Sequence, residues 1–98
     1  MREDQIENLR QILCHYGREA QKAKLCEELR ELIEAATEDM HFETPESRAH
    51  FIEELADVMI MTEQMRLALT IPEMAELYKV IEFKINRQLR RIADEQRT

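Results

Sequence analysis

The sequence is poor in the residues that make turns, with one glycine, two prolines and no tryptophan among 98 residues. A β-sandwich or β-barrel needs a turn about every ten residues, so this composition excludes both folds. A single glycine also excludes the glycine-rich loops of P-loop and Rossmann nucleotide sites. We therefore expect an all-α protein.

Long apolar runs and paired cysteines are missing as well. No stretch approaches the roughly 18 apolar residues of a transmembrane helix. The first ten residues, MREDQIENLR, are polar, so we expect neither a signal peptide nor a membrane anchor. Cys14 and Cys26 form no CxxC motif, and we expect buried or idle thiols in a protein of the reducing cytoplasm.

Acidic residues outnumber basic ones by 21 to 14, which gives a formal net charge of −7. This balance disfavours a nucleic acid polymer or an anionic membrane as partner, because both repel it, and suits a protein that binds cations. The hydrophobic fraction of 44% is enough for a helical core. We expect one domain over residues 1–98.

Breaks in the helical pattern fall at Gly17, over residues 39–45 and over residues 70–72. Apolar residues recur at helical spacing between these breaks. The predicted helices cover residues 3–16, 18–38, 45–69 and 72–95. Because the connections are short, we expect a four-helix antiparallel bundle.

Two helix starts carry recognisable capping signals. Thr44 followed by Pro45 fits an N-cap and the first position of the third helix. Thr70 and Glu73 have the spacing of a capping box at the start of the fourth helix.

The third predicted helix is apolar around most of its circumference. Its apolar residues are Phe51, Ile52, Leu55, Ala56, Val58, Met59, Ile60, Met61, Met65, Leu67, Ala68 and Leu69. Such a helix must be covered nearly all round. We expect a dimer with helix three central to the shared core, and a compact monomer that buries this helix is the alternative.

Carboxylates border the apolar side of two helices. In helix three, Glu54 and Asp57 lie beside the apolar arc, whereas Glu53 and Glu63 are expected to be solvated. In helix two, Glu27, Glu28 and Glu31 fit within an arc of about 100°, and Glu28 borders the stripe of Leu25 and Leu32. A carboxylate at a core edge is costly unless it is neutralised, paired or metal-bound. Either these residues form a solvated acidic face, or the two helices direct carboxylates into one gap that suits Mg²⁺ or Mn²⁺.

Helix four places cations near its apolar stripe, namely Lys84, Arg87 and Arg91. They either extend past the stripe into water or meet phosphate groups held by the metal.

Three segments together resemble the MazG-like all-α nucleoside triphosphate pyrophosphatases. LCEELRELIEAA (residues 25–36) and EELADVMIM (residues 53–61) are similar to the EExxE and ExxD motifs of that family. KINRQLRRI (residues 84–92) resembles the basic segment that follows them. The resemblance covers about residues 18–92.

The resemblance implies a Mg²⁺-dependent hydrolase, with Mn²⁺ as the alternative ion, that cuts a nucleoside triphosphate into monophosphate and pyrophosphate. It assigns the metal to Glu28, Glu31, Glu54 and Asp57. It assigns catalysis to Glu27, Glu28 and Lys84, with Glu27 as a weaker ligand or water-orienting base, and phosphate binding to Lys84, Arg87 and Arg91. It also implies a homodimer or a dimer of dimers.

Several alternatives stay open at this point. The acidic faces could belong to a non-catalytic helical dimerisation or adaptor protein, or the substrate could be phosphoribosyl-ATP. The aromatic residues available to hold a base are Tyr16, Phe42, Phe51 and Tyr78, and each is first expected in the core. The sequence does not choose among bases or sugars.

Overall fold

A computed structural model describes residues 1–97 and folds that range into four α-helices without a β-strand. The helices are α1 (Glu3–Tyr16), α2 (Arg18–Phe42), α3 (Pro45–Leu67) and α4 (Ile71–Arg97). The all-α prediction is confirmed. Residues 1–68, with α1, α2 and α3, form one compact unit, and a second unit begins at Leu69 and contains α4.

The break between α1 and α2 and the starts of α3 and α4 follow the predicted signals. Gly17 separates α1 from α2 with a φ of 91°, a backbone angle that glycine adopts without strain. The hydroxyl of Thr44 accepts a hydrogen bond from the backbone N–H of Ser47 at 3.0 Å. Thr70 and Glu73 bond reciprocally, at 2.8 Å and 3.3 Å, so both predicted N-terminal caps are confirmed.

The predicted end of the second helix is wrong. α2 continues through residues 39–42, where a loop was expected, and ends at Phe42. Asp39 and Met40 are tolerated inside a helix, and no glycine or proline interrupts the chain before Pro45. The chain turns instead at Glu43, which has a left-handed φ of 51°. The other bounds differ from the prediction by at most two residues, as helix ends commonly do.

Helices α2 and α3 pack as an antiparallel hairpin. Gln21 near the start of α2 bonds Gln64 near the end of α3, and Asp39 near the end of α2 bonds Ser47 near the start of α3. The seam residues, buried or half-buried, alternate at spacings of three and four, as in a coiled coil. On α2 they are Gln21, Leu25, Glu28, Leu32, Ala35 and Asp39, and on α3 they are Ser47, Phe51, Glu54, Val58, Met61 and Met65.

The hairpin has different surfaces on the two sides of its seam. At about 100° per residue, one flank of α2 is charged and the opposite flank is apolar. The charged flank carries Lys24, Glu27, Glu31 and Glu38, whereas the apolar flank carries Leu29, Ile33 and Met40. Large apolar side chains of α3 are exposed too, among them Ile52 and Met59 at 57% and 54%. Within residues 1–68, helix three therefore keeps part of its apolar circumference in contact with solvent.

The two remaining helices are amphipathic. α1 packs on both α2 and α3 and buries Leu9. α4 has large apolar side chains exposed, including Ile71, Phe83 and Leu89. Nowhere in residues 1–97 does a helix combine the length and the apolar character that crossing a bilayer requires.

Candidate metal centre

Three carboxylates meet in the middle of the α2–α3 seam. Glu28 of α2 and Glu54 and Asp57 of α3 each offer an oxygen, and these atoms lie within 4.8 Å of one another. Glu28 and Glu54 occupy seam positions, and Asp57 follows Glu54 by almost one turn, so all three side chains reach the same level of the antiparallel pair. We call this group the carboxylate cluster.

The cluster is buried on one side and open on the other. Glu28 is 7% exposed, the Glu54 side chain is 14% exposed, and Asp57 is exposed. Burial raises the pKa of the Glu28 carboxyl above its usual value. A hydrogen bond with Glu31 and the negative charges of Glu31 and Asp57 raise this pKa further, while the hydrogen bond from Lys24 opposes the rise.

Within the described chain, Glu28 and Glu54 each have one shielded oxygen without a hydrogen-bond partner. Among residues 1–97, no group bonds the Oε2 atoms of Glu28 and Glu54, and both atoms are shielded from solvent. Leaving a buried charged oxygen unpaired is unfavourable, and nearly all buried polar atoms in proteins have a partner. The other two polar levels of the seam, Gln21–Gln64 and Asp39–Ser47, are hydrogen-bonded at 2.8 Å and 2.9 Å.

The remaining oxygens of Glu28 and Glu54 contact two basic side chains that were not among the residues predicted for the site. The Nζ atom of Lys24 lies 3.4 Å from Oε1 of Glu28 and 3.7 Å from Oε2 of Glu27. His50 places Nε2 3.4 Å from Oε1 of Glu54 and Nδ1 3.7 Å from Oε2 of Glu38. Lys24 and His50 each precede their partner in the cluster by four residues, the spacing that brings side chains together on a helix. This four-residue spacing was the feature of the sequence that could have predicted both contacts.

The donor set fits a hard divalent cation. Mg²⁺ and Mn²⁺ prefer carboxylate oxygens and water, and two buried oxygens of the cluster have no other partner in the described chain. The three oxygens of the cluster all lie within 4.8 Å of one another. Small side-chain movements would bring the three oxygens onto one ion.

Two further acidic residues predicted for the site lie beside the cluster. Glu31 is exposed and bonds Glu28, but it is not among the residues whose oxygens lie within 4.8 Å of one another. The Glu27 side chain is 61% exposed and pairs with Lys24. The metal role predicted for Glu31 and the catalytic role predicted for Glu27 stay predictions.

The basic residues predicted to bind phosphate all lie on α4. Lys84, Arg87 and Arg91 fall within an arc of about 60° on this helix. Lys84 and Arg91 are exposed, while Arg87 is half-buried and lies with its guanidinium carbon 5.7 Å from the ring centroid of Phe83. They thus present one basic side of α4.

Several expectations about individual side chains are wrong. Tyr16, Phe42 and Tyr78 are not core residues, since each is at least half exposed. Of the two states expected for Cys14 and Cys26, buried or idle, only the buried one is wrong, because both are free thiols on the surface. Glu63 is not fully solvated, because Arg66 donates a 3.0 Å hydrogen bond to it and both side chains are largely buried.

Comparisons of the chain with known protein families, with curated proteins and with solved structures found no match.

Proposed function

We propose that this chain is a Mg²⁺-dependent nucleoside triphosphate pyrophosphohydrolase built as a MazG-like helical bundle. It would cut between the α and β phosphates and release a nucleoside monophosphate and pyrophosphate. Mn²⁺ would replace Mg²⁺ with the same ligands.

One observation supports this proposal above the others. The two motifs that carry the resemblance lie about 25 residues apart in the sequence, and residues from each contribute to the carboxylate cluster. Glu28 is buried and Glu54 is half-buried, and each has a shielded oxygen without a partner within residues 1–97. A solvated acidic face explains neither their burial nor the unpaired atoms, whereas a bound cation explains both.

The acidic residues of the site would have separate roles in binding the metal and activating water. Glu28, Glu54 and Asp57 bind the metal, and Glu31 joins them once the ion separates it from Glu28. A bound Mg²⁺ would polarise the α-phosphoryl group and lower the pKa of a coordinated water. Glu27, exposed at the rim, would orient the attacking water and accept its proton.

The basic side of α4 would bind phosphate. Lys84, Arg87 and Arg91 would compensate the negative charge that grows on the departing pyrophosphate, and we assign the catalytic part of that role to Lys84. Three cations on one side of one helix suit a polyanion better than isolated surface charges do.

We also propose that the protein works as a homodimer or a dimer of dimers in the cytoplasm. Exposed apolar residues lie on α2, α3 and α4, for example Ile33, Ile52 and Phe83, and a second copy would cover them. The free surface thiols of Cys14 and Cys26 suit a reducing compartment.

Product analysis tests the activity. The full chain is incubated with Mg²⁺ and a panel of ribonucleoside and deoxynucleoside triphosphates plus phosphoribosyl-ATP, and the products are separated by chromatography. We expect a monophosphate product and pyrophosphate from at least one member of the panel. Glu28→Gln and Asp57→Asn should lose the activity, whereas the exposed-site controls Glu34→Gln and Glu53→Gln should retain it.

The outcomes separate the alternatives. Activity on phosphoribosyl-ATP alone would assign the chain to that substrate. No product with either Mg²⁺ or Mn²⁺ would contradict the proposed reaction and favour the adaptor function. Activity that survives Glu28→Gln would place the metal site elsewhere.

A further inference from the structure

The ion pair between Lys24 and Glu28 engages the same carboxylate that the metal would use. The Lys24 Nζ atom contacts Oε1 of Glu28, whose Oε2 is the buried oxygen without a partner among residues 1–97. Lys24 also reaches Glu27 at the rim of the cluster. The Lys24 ammonium group therefore compensates part of the cluster's negative charge.

This ion pair is easy to exchange. The Lys24 side chain is 51% exposed and lies on a flexible four-carbon stem, and a pair with one partner this exposed contributes little to stability. A divalent cation carries twice the charge and approaches a carboxylate oxygen to about 2.1 Å, compared with 3.4 Å for the ammonium nitrogen. The metal should therefore displace Lys24 from Glu28, and the two cations repel each other while both stay nearby.

Once displaced from Glu28, the Lys24 ammonium group would need another anion as its partner. Lysine binds phosphate as a point charge with three donors, and a polyphosphate brings several negative charges to the metal. We propose that Lys24 couples metal binding to phosphate binding, pairing with Glu28 as long as no divalent cation binds the cluster and turning to a phosphate oxygen when one does. This inference rests on the proposed metal site.

The coupling is measurable as a linkage between two ligands. Because binding free energies are reciprocal, pyrophosphate should increase Mn²⁺ affinity, and Mn²⁺ should increase pyrophosphate affinity by the same factor. Lys24 opposes the metal when the metal binds alone and supports the phosphate when both bind. Removing the Lys24 charge should therefore raise the affinity for Mn²⁺ alone and lower the affinity for pyrophosphate in the presence of Mn²⁺.

The experiment is calorimetric titration of the full chain with Mn²⁺, alone and then with a fixed concentration of inorganic pyrophosphate. We expect Lys24→Met to bind Mn²⁺ alone about three- to tenfold more tightly than the wild type, because one repelling charge is gone. The enhancement by pyrophosphate should fall about tenfold in the same variant. Lys24→Arg should preserve the coupling, because it keeps the charge.

The controls distinguish this inference from the metal site itself. Lys22→Met removes the same charge from the other side of α2 and should match the wild type. Complexes of Mn²⁺ with pyrophosphate in solution affect all variants equally, so they cancel in the comparison. If wild type and Glu28→Gln bind Mn²⁺ equally or not at all, the metal site is overturned and this inference with it. If Glu28→Gln loses Mn²⁺ while Lys24→Met matches the wild type, only the role of Lys24 is overturned.

Discussion

Glu28 and Glu54 are held in the same way, each by the basic side chain four residues before it in its own helix. Lys24 contacts Oε1 of Glu28 and His50 contacts Oε1 of Glu54, both at 3.4 Å, and Oε2 of each glutamate lacks a partner within residues 1–97. The antiparallel helices α2 and α3 thus each contribute one glutamate with one oxygen held by a basic residue and one oxygen unpaired among the described residues. This symmetry supports the view that the unpaired oxygens belong to one binding site.

Neutralising Glu28 should stabilise the metal-free protein and abolish its response to metal. Glu28→Gln removes a buried charge and its repulsion with Asp57, so we expect a gain of about 1 kcal/mol in the free energy of unfolding. Mg²⁺ should raise the melting temperature of the wild type, because a ligand that binds only the native state stabilises it, and should leave the variant unchanged. Thermal melts with and without Mg²⁺ test this, with Glu34→Gln as the control. Equal Mg²⁺ shifts in wild type and Glu28→Gln would contradict a metal role for Glu28.

The effect of Glu28 on stability should depend on pH with a definite sign. Because its pKa is raised in the folded state, the folded protein binds more protons than the unfolded chain at pH values just above 4.5. The protonated Glu28 carboxyl therefore makes its full contribution to the free energy of unfolding below pH 4.5. That contribution is lost as pH rises through the pKa of Glu28 in the folded protein. In urea melts, the advantage of Glu28→Gln over the wild type should be absent at pH 4 and should grow toward pH 7. A pH-independent difference between the two proteins would refute this.

Glu63 should show the opposite dependence and serves as an internal comparison. The hydrogen bond from Arg66 lowers the pKa of Glu63, so its contribution to stability is present above pH 4.5 and is lost as pH falls through the folded pKa. We expect Glu63→Gln to cost about 1 kcal/mol at pH 7 and less at pH 3. The same urea melts measure this cost, and a larger cost at pH 3 than at pH 7 would contradict it.

The buried pair of Gln21 and Gln64 should behave as one unit. Gln64 is 1% exposed and accepts a 2.8 Å hydrogen bond from Gln21. Gln64→Leu leaves the amide of Gln21 buried without its acceptor, at a cost of about 1–3 kcal/mol. Adding Gln21→Leu should recover part of that loss, because both polar groups are then gone. Urea unfolding of the two single variants and the double variant gives the coupling energy, and strict additivity would count against the pairing.

A charge on the exposed apolar side of α3 should weaken self-association. Met59 is 54% exposed and shares that side with Ile52, so Met59→Asp would bury a charge in any interface formed there. Analytical ultracentrifugation should show a dimer or larger assembly for the wild type and a smaller species for the variant. Arg30→Gln changes the net charge equally on the side of α2 that faces away from the seam and should leave association unchanged. A monomeric wild type would contradict the proposed assembly.

The sequence is informative about helix ends because single residues determine them. Gly17, Thr44 with Pro45, and Thr70 with Glu73 all act where predicted, since each supplies a local conformation or a local hydrogen bond. The end of α2 is different, because Glu43 leaves the helix in a left-handed conformation that its residue type does not favour. No residue at this end therefore marks the turn in the sequence.

The carboxylate cluster could be predicted in part. Helical spacing places Glu28, Glu54 and Asp57 near the apolar seam, and this much follows from the sequence. The sequence does not predict that Glu31 lies outside the 4.8 Å group. Nor does it predict that Lys24 contacts one oxygen of Glu28 and His50 one oxygen of Glu54. Those facts depend on the rotation and register of α2 against α3, which are set by contacts distant in the sequence.

The two hydrogen-bonded levels of the seam, Gln21–Gln64 and Asp39–Ser47, bracket the cluster. A slip of one helix by a single residue, about 1.5 Å, would break both at once. The hairpin is therefore a rigid template whose spacing at Glu28 and Glu54 is set before any ion arrives. Filling the site would need side-chain rotations alone, so binding of an ion should leave the backbone unchanged.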